Sequence, residues 1–202
     1  MDLLDKGKLL FTDASKFFNK FKKEDWIVAY KYAVIIGLLS GVLGQLRAVQ
    51  AMDNAVLGAL SATIGLFMAV LIGPFVNSIL PHIGVMLFGK KDYWKTFKAI
   101  TYGRLVGAIY AIPALIIMLF AVGPDGKVSN MLLMVPFGLL ILAAVVHSLY
   151  TQVVGLKTYH HLSYVKGMVC ALIIPLGIAL FIVALLVSIF VIGGVLDPAA
   201  LA

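Results

Sequence analysis

Residues 88–113, FGKKDYWKTFKAITYGRLVGAIYAIP, change physical character half-way along. The first half is cationic and aromatic, with Lys90, Lys91, Lys95 and Lys98 set among Tyr93, Trp94 and Phe97. The second half is apolar, rich in small residues and free of acids as far as Val122. Lysines beside Trp and Tyr suit the passage from headgroups into hydrocarbon, because the rings tolerate the interface while the ammonium groups stay wet. The chain enters a membrane here, so the flanking sequence reads as spans and loops rather than as water-soluble core and surface.

The composition agrees. Hydrophobic residues make up 62% and charged residues 12% of the 202, against about 45–50% and about 25% in an ordinary soluble domain. No water-facing shell can be built from this. The expected fold class is therefore all-α, a polytopic integral membrane helix bundle. The net charge of +7 does not indicate nucleic acid, because the cations cluster beside apolar runs instead of forming a basic face on a soluble module. Cys170 is the sole cysteine and lies in an apolar segment, which reads as a packed thiol.

Residues 1–25 hold five acids and no small-residue cleavage site, so they are expected to remain on the mature protein. Between Thr12 and Lys23, Ala14, Phe17, Phe18 and Phe21 recur at helical spacing, with Lys16, Lys20, Lys22 and Lys23 in the remaining positions. Two readings fit: a short amphipathic helix in the membrane interface, or a cap of phenylalanines on the cytosolic end of the bundle. Five spans follow, near 27–46, 55–73, 99–122, 131–154 and 167–194. Polar turns are expected at 47–54, at the GPDGK of 123–127 and at 155–166. The uncharged run 55–88 is too long for one straight span, at about 50 Å against a hydrocarbon core of about 30 Å. Pro74 and Pro81 are where it should bend or break, leaving 74–88 as a kinked extension or a surface helix. Ridges of small residues, such as Gly103, Gly107, Ala111 and Ala114, predict close helix packing, within the chain or in a homo-oligomer.

Five spans place the termini on opposite sides. Of the 16 Lys and Arg, all but Arg47 and Lys127 fall on one side, which by the positive-inside rule puts the N-terminus in the cytosol and the C-terminus outside or in a lumen. The domains are then a cytosolic amphipathic leader at 1–25, the membrane domain at 26–196 and an external tail at 197–202.

Chemistry is sparse. There is no phosphate loop, nucleophile motif or Cys-x-x-Cys, and all nine acids lie in termini or loops, whereas a midplane cation or proton site usually needs a buried carboxylate. No catalytic residue, metal or cofactor is expected. The candidate polar site is Asn77, His82, His147 and His160, each of which also reads as a hydrogen-bonded structural residue. A metal held by His82, His160 and His161 would lack the usual further Cys or acid ligands. The membrane-interface and partner candidates are Phe17, Phe18, Phe21, Lys90, Lys91, Trp94 and Arg104. Arg104 either snorkels to the headgroups or meets a lipid phosphate together with Lys98.

Three stretches, SKFFNKFKKEDWIVAYKYAVIIGLLSG (15–41), HIGVMLFGKKDYWKTFKAITYGRLVGAIYAIP (82–113) and LYTQVVGLKTYHHLSYVKGMVCALIIP (149–175), cover about half the chain. With Gly155-Leu156-Lys157 followed by His161-x-x-x-x-Lys166-Gly167, the sequence resembles the Yip (Ypt/Rab-interacting protein) domain membrane proteins. The resemblance implies a five-span bundle with a cytosolic N-terminus, and in eukaryotic relatives an association with Rab-type GTPases and early secretory traffic. The Asp-Leu-x-Gly-Pro signature of the eukaryotic branch is missing before the first span, and the chain is similar to the prokaryotic branch. The expected role is a non-enzymatic protein that shapes or organises membrane and recruits a cytosolic partner. The alternative is a small transporter, channel or lipid-translocating protein with a site at the broken second segment. The implied location is the cell membrane in a prokaryote, or endoplasmic reticulum and Golgi in a eukaryote.

Overall fold

The computed structural model describes residues 3–50, 55–122, 128 and 130–195. The expected turn at 123–127, the end of the 47–54 turn and the tail at 197–202 lie outside the described residues. The described residues are almost entirely helical: α1 (Leu3–Thr12), α2 (Ala14–Lys20), α3 (Trp26–Gln50), α4 (Ala55–Phe67), α5 (Gly73–Leu87), α6 (Tyr93–Ala121), α7 (Met131–His160), α8 (Tyr164–Met168) and α9 (Ile174–Val195). The protein is an integral membrane helix bundle. Four apolar helical runs, Val56–Leu87, Tyr93–Ala121, Met131–His160 and Tyr164–Ser188, are long enough to cross a bilayer, and the apolar part of α3 adds a shorter one at Trp26–Leu39.

The leader places α2 within the expected helix over 12–23 and adds α1 before it. It forms two helices that meet at Asp13, whose carboxylate accepts the Lys16 N–H at 2.8 Å and caps α2. The second hydrophobic segment does not break. Met68–Ile72 forms a π-helical turn between α4 and α5, in which the Gly73 N–H bonds the Met68 carbonyl five residues back. Pro74 has no N–H to donate, and the extra residue in the turn carries the helix past it. Residues 74–87 therefore continue the span and pack on α6 and α9 instead of lying on a surface. A second π-helical turn, Val169–Ile173, links α8 to α9 and ends two residues before Pro175.

The loops are shorter than expected because the helices outrun the hydrocarbon. Residues 155–160 belong to α7, which ends at His161 in the left-handed conformation (φ 55°), and Ser163 caps α8. On the opposite side an antiparallel pairing of Val122 with Val128 closes the connection from α6 to α7, and the Asn130 side chain caps α7.

The helices α6 and α7 form the most extensive antiparallel pair. A Cβ on Gly103 would lie 2.2 Å from Gln152 Cγ and 3.0 Å from its backbone N, and one on Gly155 would lie 2.9 Å from Ala99 Cβ and 2.8 Å from Phe18 Cζ. Small residues thus set the helix spacing, as the glycine ridge predicted. The well-buried side chains gather at one end of this pair, where Phe17, Phe18, Phe97, Tyr102, Leu156 and Tyr159 are almost fully enclosed. Towards the other end the bundle turns large side chains outward, Leu132 being 83% and Phe120 72% exposed, as a surface solvated by lipid allows.

Replacing Gly155 with Leu should therefore destabilise the protein by about 1–3 kcal/mol through overpacking. Gly138 has open space around its α-carbon, so Gly138→Leu should be nearly neutral. Thermal unfolding of both variants in one detergent checks the difference, and equal melting temperatures would contradict the packing described.

Candidate functional site

The starts of α3, α6 and α8 and the ends of α5 and α7 meet at one pole of the bundle. Trp26 stacks on Trp94 with ring centroids 4.2 Å apart, Lys166 sits over the Phe88 ring at 5.2 Å, and Lys22 Nζ lies 3.2 Å from His161 Nε2. Every Lys and Arg that the charge count assigned to the cytosol, apart from Arg104, is on the leader or within the terminal turns of the helices gathered here.

One carboxylate ties this pole together. Glu24, just before α3, accepts a hydrogen bond from Lys6 of α1 in a salt bridge and one from Tyr102 Oη of α6 at 2.7 Å. Both partners of the salt bridge are 15% exposed. Burial acts to lower the Lys6 pKa, but hydrogen bonding and charge from Glu24, with help from Tyr32, outweigh it and hold the ammonium above its ordinary value. Lys98, buried in the first turns of α6, donates to the carbonyls of Lys22 at 3.1 Å and Glu24 at 2.7 Å and lies 4.7 Å from the Tyr159 ring centroid. These bonds close the turn between α2 and α3 onto the bundle.

The leader phenylalanines fit the capping reading. Phe17 and Phe18 are 1% and 0% exposed and pack edge-on against Tyr102 and Tyr159. Phe21 is half-buried, with Lys6 Nζ 4.5 Å above its ring. Lys90, Lys91 and Trp94 remain exposed at the rim. Asp92 caps α6 through the Lys95 N–H at 3.2 Å and pairs with the Lys95 ammonium at 2.9 Å. Burial works to raise its pKa, and the bonds and charge of Lys95 overcome this and hold the carboxyl below its usual value.

The four residues of the candidate polar site are not brought together. His82 and His160 meet through Thr96, whose hydroxyl lies 3.0 Å from His82 Nδ1 and 2.9 Å from His160 Nε2. A hydroxyl donates only one hydrogen, so at least one of the two histidines donates its ring N–H to the Thr96 oxygen. His147 lies 13 residues before His160, about 20 Å along α7; its Nδ1 is 3.1 Å from Tyr110 Oη and its ring contacts Phe11. His161 points to Lys22 instead of joining His82, and no group of three or more His, Cys, Asp or Glu able to hold a metal occurs among the described residues. Lys98 is occupied by the leader carbonyls, and Arg104 lies six residues further along α6.

Asn77 lies elsewhere, on α5 beside Arg104. Two hollows of about 320 and 150 Å³ flank these residues and share both of them. The larger runs past Pro81, Gln152 and Pro175, the smaller past Gly37, Pro74 and Thr101. Sequence periodicity missed this grouping, which depends on how α5 crosses α6; the signal available was the single cation well inside an apolar span.

Residues 8–195 match the family model described as the Yip1 domain. No match was found among curated proteins or among solved structures.

Substituting Glu24 with Ala should release the leader, since it leaves Lys6 and the Tyr102 hydroxyl without their acceptor at a cost of about 1–3 kcal/mol. Limited proteolysis should then cut near residues 13–23 at protease concentrations that spare the wild type. Tyr102→Phe, which keeps the salt bridge, should show a smaller effect.

Proposed function

Because the chain belongs to the Yip1 domain family, we propose that it organises membrane without catalysing a reaction and presents its basic pole to a partner protein in the cytosol. The locked leader carries this reading. Glu24, Lys6, Tyr102 and Lys98 hold α1 and α2 on the pole, while Lys16, Lys23, Lys90, Lys91 and one edge of Trp94 are exposed at this pole. A pole with four exposed cations and an exposed aromatic ring complements an acidic protein surface, and the same cations hold the pole to anionic headgroups. The cytosolic orientation rests on the distribution of Lys and Arg. A Rab-type GTPase is the partner suggested by eukaryotic relatives, but the missing Asp-Leu-x-Gly-Pro signature gives no ground for carrying it over. The transport reading called for one cavity shared by Asn77, His82 and His147, and these three have separate surroundings.

The orientation is checked by cysteine labelling in a Cys170→Ala background. Ser15→Cys should react with an impermeant maleimide from the cytosolic side, and Asn130→Cys only from the opposite side. Labelling of both from one side would refute the layout. For the recruiting role, the double variant Lys90→Glu, Lys91→Glu should lose a protein cross-linked to the wild type in native membranes, while its melting temperature stays unchanged. An identical cross-linking pattern in wild type and variant would remove the rim from the mechanism.

A further inference from the structure

Arg104 is the one cation placed deep in the described spans, and among the described residues its guanidinium has no carboxylate, hydrogen-bond or ring partner. An ionisable side chain at such a depth marks a functional site by default. Its depth follows from α6 itself. Trp94, stacked on Trp26, belongs to the interfacial belt, and Arg104 lies ten residues further along the same unbroken helix. That is about 15 Å, half of a hydrocarbon core of about 30 Å.

The neighbours of Arg104 are also unmatched. Thr101 is 2% exposed and its hydroxyl has no hydrogen-bond partner, yet it lines the smaller hollow with Arg104 and Asn77. The Asn77 carboxamide is likewise unpaired among the described residues. A guanidinium, a carboxamide and a hydroxyl can all donate, and the hollow they share is lined otherwise by small and apolar residues such as Gly37, Ala69 and Ala108. None of the described acids lies near, since they all sit at or beyond the ends of the spans. The described residues thus supply no balancing charge. Arg104 is exposed at the side of the bundle, and the abundant anion in reach from there is lipid phosphate, whose oxygens match the guanidinium fork.

We propose that Arg104, Asn77 and Thr101 form a lateral site for the phosphodiester group of a phospholipid, held below the headgroup plane of the leaflet at the basic pole. The occupied site draws a headgroup inward and thins that leaflet beside α5 and α6. This deepens the membrane-organising part of the proposed function and rests on it; the partner test uses rim residues distant from this site, so either result can fail alone.

Arg47 and Arg104 are the only arginines, so an Arg47→Gln chain labelled with ¹³C at arginine Cζ reports on Arg104 alone. In bilayers of phosphatidylcholine and phosphatidylglycerol, ¹³C–³¹P dipolar dephasing should place lipid phosphorus in contact with that carbon. Thr101→Val and Asn77→Leu should each weaken the contact, and Arg104→Gln should retain about tenfold less phospholipid through detergent washing than the wild type. Lys90→Gln should leave retention unchanged. Dephasing unaffected by Thr101→Val and Asn77→Leu would mean that Arg104 reaches ordinary headgroups by snorkelling, and would overturn the site. Dephasing that reappears when inorganic phosphate is added to bilayers of a phosphate-free galactolipid would make it a site for a soluble anion, which overturns the lipid assignment.

Discussion

A chain that crosses hydrocarbon must satisfy its own backbone N–H and C=O groups, and this chain does so with prolines inside four of its long helical runs, at Pro74 and Pro81, Pro113, Pro136 and Pro175. Each proline removes one helical donor. Pro74 and Pro175 receive the same treatment: a five-residue π-helical turn ends two positions earlier, and the residue between bonds a carbonyl five back, Gly73 to Met68 and Ile174 to Val169. A turn with one extra residue shifts the register of side chains around the helix. The second π-turn also packs directly on α5, where a Cβ on Gly84 would come within 2.9 Å of Cys170 Cα. The two irregular spans are thus fitted to each other.

The basic pole obeys a different constraint. Its helices emerge into headgroups and water, so polar contacts replace lipid packing as the means of holding them. Glu24 is central because it is an acid placed among many cations. It takes the Lys6 ammonium and the Tyr102 hydroxyl together, and its own backbone carbonyl takes Lys98. The phenylalanines of α2 then fill the space between α6 and α7. Charge neutralisation at Glu24 and aromatic burial at Phe17 and Phe18 are coupled, because Tyr102 takes part in both.

How much of this was legible follows from which contacts are local. The spans could be read because hydrophobic runs and flanking lysines report directly on solvent. The pattern of Gly103 and Gly107 could be read because helical periodicity decides which residues share a face. The π-turns could not, since a proline in a long apolar run permits a break, a kink or a bulge, and the choice depends on the packing of α5 against α9. The histidines show the same limit. Single residues were identified as candidates, but the partner of His82 is Thr96 and that of His147 is Tyr110, pairs set by helix register across the bundle. The leader remained open between interface and cap because its periodicity serves both; burial of Phe17 and Phe18 needs a bundle end ringed by Tyr102 and Tyr159, which no local pattern encodes.

The two polar regions divide the chain's cations into two roles. At the pole, Lys6 and Lys98 are matched within the protein, and the exposed lysines are matched by water and headgroups at small cost. Arg104 has neither. Its helix position is fixed by the Gly103 contact with Gln152 and the Thr101 to Val106 stretch buried around it, so α6 cannot slide towards the headgroups to relieve it. Either the side chain climbs or the bilayer comes down. A climbing side chain would leave Asn77 and the Thr101 hydroxyl unmatched in an apolar hollow, at the usual cost of about 1–3 kcal/mol for each unpaired polar group. A lipid phosphate drawn to the hollow would meet the Arg104, Asn77 and Thr101 donors at once, which a climbing side chain cannot do.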